Sequence, residues 1–258
     1  MTGTVGLQRQ GHIGTVVFDH EARRNAITVD MWQAVPELCA RLDADDDVHV
    51  VVLRGAGDTA FVAGADISQF EERRPGGDDY DTITARALDA IEQLRKPVVA
   101  MIHGYCIGGG LAIAAAADIR YAADDAFFGL PPARLGIGYS PAGIGKLVDL
   151  LGPSVTKEII YTAEWYDATT ALRWGLVNKI LPADELVDFV TDQASIMATR
   201  APLSQRAAKL AVADHLRRPE HRRPDEVAAA VAACARSDDY AEGVRAFMEK
   251  RPPVFRGR

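Results

Sequence analysis

Short apolar, β-branched runs alternate with amphipathic stretches through the first half of the chain, and helical periodicity takes over in the second. The runs IGTVVFD (Ile13–Asp19) and VHVVVLRG (Val48–Gly55) end in turn residues and predict strands. Between them, TVDMWQAVPELCARLDADDD repeats apolar residues at helical intervals behind Thr28, a good N-cap. Pro36 inside that pattern predicts a kink or an early stop. The Gly/Pro-punctuated Arg73–Asp81 predicts a loop, and TITARALDAIEQLRK an amphipathic helix. KPVVAMIHG (Lys96–Gly104) reads as a buried strand entering a glycine triplet, and DIRYAADDAFFGLP as two short strands. From SPAGIGKLVDLLG onward helices are predicted over Ala183–Arg200, Pro202–Leu216, Pro224–Ala235 and Asp238–Lys250, with a strand-like Gly175–Pro182. Strand–helix units followed by a helical tail predict an α/β core with a helical C-terminal extension.

Composition narrows this picture without changing it. The 258 residues carry a net charge of −7, with 48% hydrophobic and 25% charged residues, an ordinary globular balance. An acidic chain argues against nucleic acid or an anionic membrane as partner. No run approaches the ~20 apolar residues of a membrane span, and the start MTGTVGLQRQ lacks a signal-peptide pattern. Cys39, Cys106 and Cys234 have neither metal-ligand spacing nor an even count, so a reduced, cytoplasmic setting without a metal is expected.

Two glycine-bearing turns carry the candidate chemistry. FVAGADISQF (Phe61–Phe70) and YCIGGGLAI each follow a strand and are expected to open a helix. Such N-termini present unpaired amides and partial positive charge. Facing one another, they would give two N–H donors to one oxygen that becomes negative during reaction. Spacing alone favours a plainer role, tight strand–helix packing, and neither turn fits a nucleotide fingerprint.

The blocks RRNAIT (Arg23–Thr28), FVAGADISQF, HGYCIGGGLAIAAAADIRYAADDAFFGLPPARLGIGYSPAGIGKL and AFMEKRPPVF, in order along nearly the whole chain, resemble the crotonase superfamily, the enoyl-CoA hydratase/isomerase family. The resemblance implies a crotonase/ClpP-like spiral of ββα units, with 1–200 as an acyl-CoA-binding core and 201–258 as a helical trimerisation region. Homotrimers, or hexamers of them, would be the self-association expected. It implies a coenzyme A thioester as substrate, no separate cofactor, and an oxyanion hole on the amides of Ala65 and Gly109. It further implies that Arg24, Ala63 and Asp66 lie along the nucleotide, and that Phe247 and Lys250 reach a neighbouring subunit's nucleotide. Without it, Phe247 reads as core and Lys250 as a solvated charge.

The family's hydratases use two glutamates, and here those positions are Ala112 and Pro132. A positioned acid or base contributes about 10²–10⁴-fold, so ordinary two-glutamate hydration is not expected. The loop RLGIGYSPAGIGKL is similar to that of the methylmalonyl-CoA decarboxylase branch, with Tyr139 at that branch's tyrosine; the branch has histidine where this chain has Ala65. Decarboxylation needs no base, because the electrons of the breaking C–C bond flow into the thioester. Tyr139 could orient the substrate carboxylate or deliver the proton. The readings therefore are a carbon–carbon or carbon–oxygen lyase, an atypical hydratase, or an acyl-CoA binding protein without catalysis. Plainer roles are expected elsewhere: Asp66 and Ser140 as helix caps, Asp118 and His103 as structural, and Cys106 as an inert thiol. Arg134 could contact an acid group on the substrate or hold Asp124 or Asp125. Glu71 and Glu72 read as surface charges that could supply a carboxylate.

Overall fold

The structure, a computed structural model, describes residues 3–66 and 78–258. Among these, strands β1 (Thr4–Gln10), β2 (Ile13–Asp19), β3 (Val50–Gly55), β5 (Val98–Ile102), β7 (Ile119–Ala123) and β10 (Lys179–Leu181) form one six-stranded sheet in the order β1-β2-β3-β5-β7-β10. A second sheet has the order β4-β6-β8-β9, from β4 (Ala60–Val62), β6 (Tyr105–Ile107), β8 (Phe127–Gly129) and β9 (Tyr166–Asp167). Successive turns of the chain give one strand to each sheet, β3 then β4, β5 then β6, β7 then β8. The chain therefore winds as a spiral of ββα units, the α/β fold expected.

The large sheet is parallel except at β1. Covered on both faces, its central strands are mostly apolar rather than alternating, β5 wholly so. Val51 and Leu53 point into the main core with Trp32, Leu111 and Phe128, whereas Val50, Val52, Val99 and Met101 pack under α7 (Leu186–Ala198).

α1 (Val29–Ala44) begins where Thr28 accepts a hydrogen bond from the Met31 amide at 3.2 Å. It runs through Pro36 without the early stop that is one of the two outcomes expected there. The buried stripe of Met31, Trp32, Val35, Leu38 and Cys39 holds both sides of the proline against the core, which outweighs one missing backbone bond. α2 (Asp78–Glu92) starts inside the loop predicted over Arg73–Asp81; the rest of that loop, with Glu71 and Glu72, lies outside the described residues. The strand after Lys96 does not reach the glycine triplet: β6 intervenes. β1 and β9 had no clear signal, β1 because its exposed positions are mostly polar and β9 because it is two residues long. α4 (Pro132–Leu135) is a single short turn, and α5 (Pro141–Thr162) is broken at Gly152, where φ is 75°. Ser140 caps α5 through the Gly143 amide at 3.2 Å, as expected. α6 (Ala168–Trp174) is not among the predicted helices, whereas α7, α8 (Pro202–Leu216), α9 (Pro224–Ala235) and α10 (Asp238–Glu249) follow them closely. No helix of the described residues is long and apolar enough to cross a membrane.

α3 (Gly109–Ala116) is fixed at both ends. At its C-terminus the buried Arg120 guanidinium donates to the carbonyls of Ala114 at 3.3 Å and Ala117 at 2.6 Å. Burial lowers the Arg120 pKa, opposed by the charge of Asp118. At its N-terminus Gly110 packs so tightly that a Cβ would lie 2.1 Å from the Val62 carbonyl oxygen in β4. An alanine in a helix normally gains about 1 kcal/mol over glycine, but overpacking costs about 1–3 kcal/mol. Gly110→Ala should therefore destabilise the protein by roughly 1–2 kcal/mol in urea unfolding; a stabilised variant would show that α3 is free to move away from β4.

Candidate active site

The small sheet brings the two glycine turns together. β4 and β6 are parallel neighbours, so the residues that follow their C-terminal ends emerge side by side. A Cβ built on Gly108 would sit 3.6 Å from the Gly64 Cα, and one on Gly64 would sit 3.7 Å from the Ile107 carbonyl oxygen. Gly64 and Gly108 have φ of 104° and 55°, conformations that other residues rarely adopt.

The amides around each turn are mostly spent. Ala63 donates to the Arg24 carbonyl at 3.1 Å. Ile27 bridges Ala65 in parallel, donating to Gly64 at 2.8 Å and accepting from Asp66 at 2.9 Å. In a parallel bridge those bonds use the peptide groups flanking Ala65, so the Ala65 N–H itself points away from Ile27. At the second turn Gly108 donates to the Gly129 carbonyl at 2.9 Å. Gly109 is the first residue of α3, where no carbonyl four residues back is available and the helix dipole adds positive charge. A Cβ on Gly109 would fall 3.0 Å from the Trp32 ring, so the turn rests directly on that indole.

Both turns border one cavity of about 420 Å³. Ala112 and Pro132, the positions at which the resemblance puts the hydratase glutamates, line it too, so its wall is apolar there. Tyr139 lines it as expected and packs against Gly143, where a Cβ would meet its ring at 2.6 Å. Burial first, then the neighbouring Tyr80 and Asp81, push the Tyr139 phenol above its ordinary value of 10.0. Protonated at neutral pH like any phenol, its hydroxyl can donate a hydrogen bond. Tyr80 is raised by burial as well, with the Trp32 indole acting the other way and Asp81 reinforcing the rise. Behind Ala112 and Tyr139 a second cavity of about 10 Å³ ends at Lys146, which is ion-paired with Glu92.

Tyr80, Asp81 and Thr84 on the cavity wall were missed from sequence, because Tyr80 and Asp81 fell in the predicted loop. Trp165 borders the cavity while its indole meets Tyr105 edge to face, with ring centroids 5.4 Å apart. The Arg24 guanidinium covers the other part of this cluster, 4.8 Å from the Tyr105 centroid.

The remaining candidates divide clearly. Asp66 is buried and ion-paired with Arg23 at 2.6 Å; the helix it was expected to cap lies outside the described residues. Asp118 is structural, accepting from the Val98 amide at 2.8 Å and pairing with Lys209 at 2.9 Å. Arg134 pairs with Glu164 at 3.1 Å and not with Asp124 or Asp125, because α4 turns it toward the segment before β9. His103 is buried, its carbonyl accepting from Phe61 at 2.8 Å, and burial lowers its pKa. Burial pushes the Cys106 thiol up, consistent with an inert group. Phe247 is 83% exposed and not core, since α10 turns it outward, and Lys250 closes that helix in a left-handed conformation.

The family model described as enoyl-CoA hydratase/isomerase matches residues 8–258. The short-chain-enoyl-CoA hydratase of Clostridium acetobutylicum is 32% identical over 246 residues, covering 95% of this chain and 94% of that protein. The carnitinyl-CoA dehydratase of Salmonella enteritidis is 32% identical over 262 residues, covering 100% of both chains. Among solved structures, an enoyl-CoA hydratase/carnithine racemase from Magnetospirillum magneticum superposes with a TM-score of 0.92 at 34% identity, covering 100% of this chain and 97% of that one. An enoyl-CoA hydratase from Bacillus anthracis gives a TM-score of 0.92 at 28% identity, covering 99% and 100%. With its spiral of ββα units and a match over nearly its whole length, the chain belongs to the enoyl-CoA hydratase/isomerase family of the crotonase superfamily.

Proposed function

We propose that the protein is an acyl-CoA enzyme that holds a thioester oxygen on the Ala65 and Gly109 amides and stabilises the enolate formed there. The observation that carries this reading is the single cavity that both amide turns share, apolar at Ala112 and Pro132. Each amide donor aimed at a developing oxyanion contributes about 3–4 kcal/mol to the transition state. Arg24, Ala63 and Asp66 cluster at the first turn, in keeping with a nucleotide lying along it, and the exposed Phe247 and Lys250 suit contact with the nucleotide of a neighbouring copy in a trimer or hexamer.

The reaction that this wall suits best is decarboxylation of a malonyl-type thioester. The C–C bond to the carboxylate breaks, carbon dioxide leaves, and the electron pair becomes the enolate. Tyr139, held neutral, donates a hydrogen bond that orients the departing carboxylate. A second reading, slow hydration or dehydration of a short enoyl thioester, is favoured by the hydratases and the dehydratase among the relatives.

Two measurements test this. Purified protein should hydrate crotonyl-CoA at well under about 10 per second while releasing carbon dioxide from one of a panel of malonyl-type thioesters. Fast hydration would overturn the decarboxylase reading, and binding across the panel without product would make the protein a thioester carrier. Tyr139→Phe should lower kcat by about 10–100-fold, the worth of one strong hydrogen bond, without changing the shape of the rate profile up to about pH 10. Because the folded protein resists ionising this phenol while the unfolded chain ionises it near 10.0, stability should fall above that pH. Tyr139→Phe should remove that part of the fall in alkaline unfolding.

A further inference from the structure

We propose that Asp81 is the group that carries a proton to and from the α-carbon of the bound thioester, and that the protein therefore exchanges the α-hydrogens of saturated acyl-CoA thioesters with water. The proposal rests on the oxyanion-hole reading of Ala65 and Gly109.

Among the described residues Asp81 is the one carboxylate that lines the cavity. It belongs to the face of α2 that also presents Thr84 and Leu88 to the same space, a spacing of three and then four residues that marks one helix side. It is half-buried, and no hydrogen bond or ion pair engages its carboxylate among the described residues. The Thr84 hydroxyl donates instead to the main-chain carbonyls of Tyr80 at 3.0 Å and Asp81 at 3.1 Å. Asp81 and Tyr139 line the same cavity, and the charge of Asp81 adds to the rise of the Tyr139 phenol. With Ala112 and Pro132 unable to move protons, the site's acid–base group would come from α2.

In the forward step an oxygen of Asp81 takes the α-hydrogen as a proton. The C–H electrons become the enolate double bond, and the negative charge moves to the thioester oxygen on the two amides. In the reverse step the carboxylic acid returns a proton, or a deuteron acquired from D₂O, to the same carbon. Nothing is oxidised or reduced. After decarboxylation Asp81, having first taken a proton from water, would pass it to the enolate carbon and return to its carboxylate form.

The test uses the full chain with butyryl-CoA in D₂O, following α-deuterium by mass spectrometry and binding by calorimetry. The wild type should bind and incorporate deuterium. Asp81→Asn should bind within about twofold of the wild type yet exchange at least about 100-fold more slowly, the worth of a positioned base. Asp81→Glu should regain part of the rate, and Asp81→Ser carries the same expectation as Asp81→Asn should the latter not fold. Equal exchange in wild type and Asp81→Asn, with binding intact, overturns the role of Asp81 alone. Wild-type binding without exchange overturns the activity. Failure of the wild type to bind butyryl-CoA overturns the underlying reading of the cavity.

Discussion

The architecture of the site depends on one constraint: β4 and β6 run parallel and adjacent, so the chain leaves both at the same edge. Everything at the candidate site follows from that pairing. The turn after β4 points the Ala65 amide away from its bridge with Ile27, and the turn after β6 starts α3 with an unspent amide at Gly109. Glycine at 64 and 108 supplies backbone conformations other residues avoid, and glycine at 110 lets α3 lie against β4. Arg120 at the far end of α3 completes the clamp.

The second determinant is what the cavity wall withholds. Ala112 and Pro132 give the cavity wall beside the two turns no group able to carry a proton. Burial, with Tyr80 and Asp81 adding to it, raises the Tyr139 phenol above its ordinary value. In the proposed reading, chemistry is then left to the backbone amides, to a neutral hydrogen-bond donor and to Asp81 on α2. Similarity to hydratases and a dehydratase shows the family; the reaction proposed for this chain rests on these side chains.

Much of this was legible in the sequence, for identifiable reasons. The glycine triplet after an apolar run, the Thr28 and Ser140 caps and the terminal helices are local signals, and local signals survive in the structure. The fold class followed from element order together with the resemblance of several blocks. What could not be read depended on tertiary context. Pro36 stays within α1 because the core holds both flanks. Asp81 looked like part of a loop because polar DDYD carries no helical stripe, and only the packing of α2 beside α3 brings it to the cavity. Arg134 met Glu164 rather than the aspartates nearer in sequence, since ion pairing across elements leaves no trace in spacing. Phe247 read as core because an aromatic in a helix usually is; its exposure follows from where α10 sits.

The central claim is that two main-chain amides polarise a thioester carbonyl. The most direct measurement is the infrared difference spectrum of butyryl-CoA labelled with ¹³C at the carbonyl, free and bound to the protein. Hydrogen bonds from Ala65 and Gly109 predict a clear shift of the carbonyl stretch to lower frequency on binding. A bound thioester whose carbonyl absorbs where it does in solution would contradict the account.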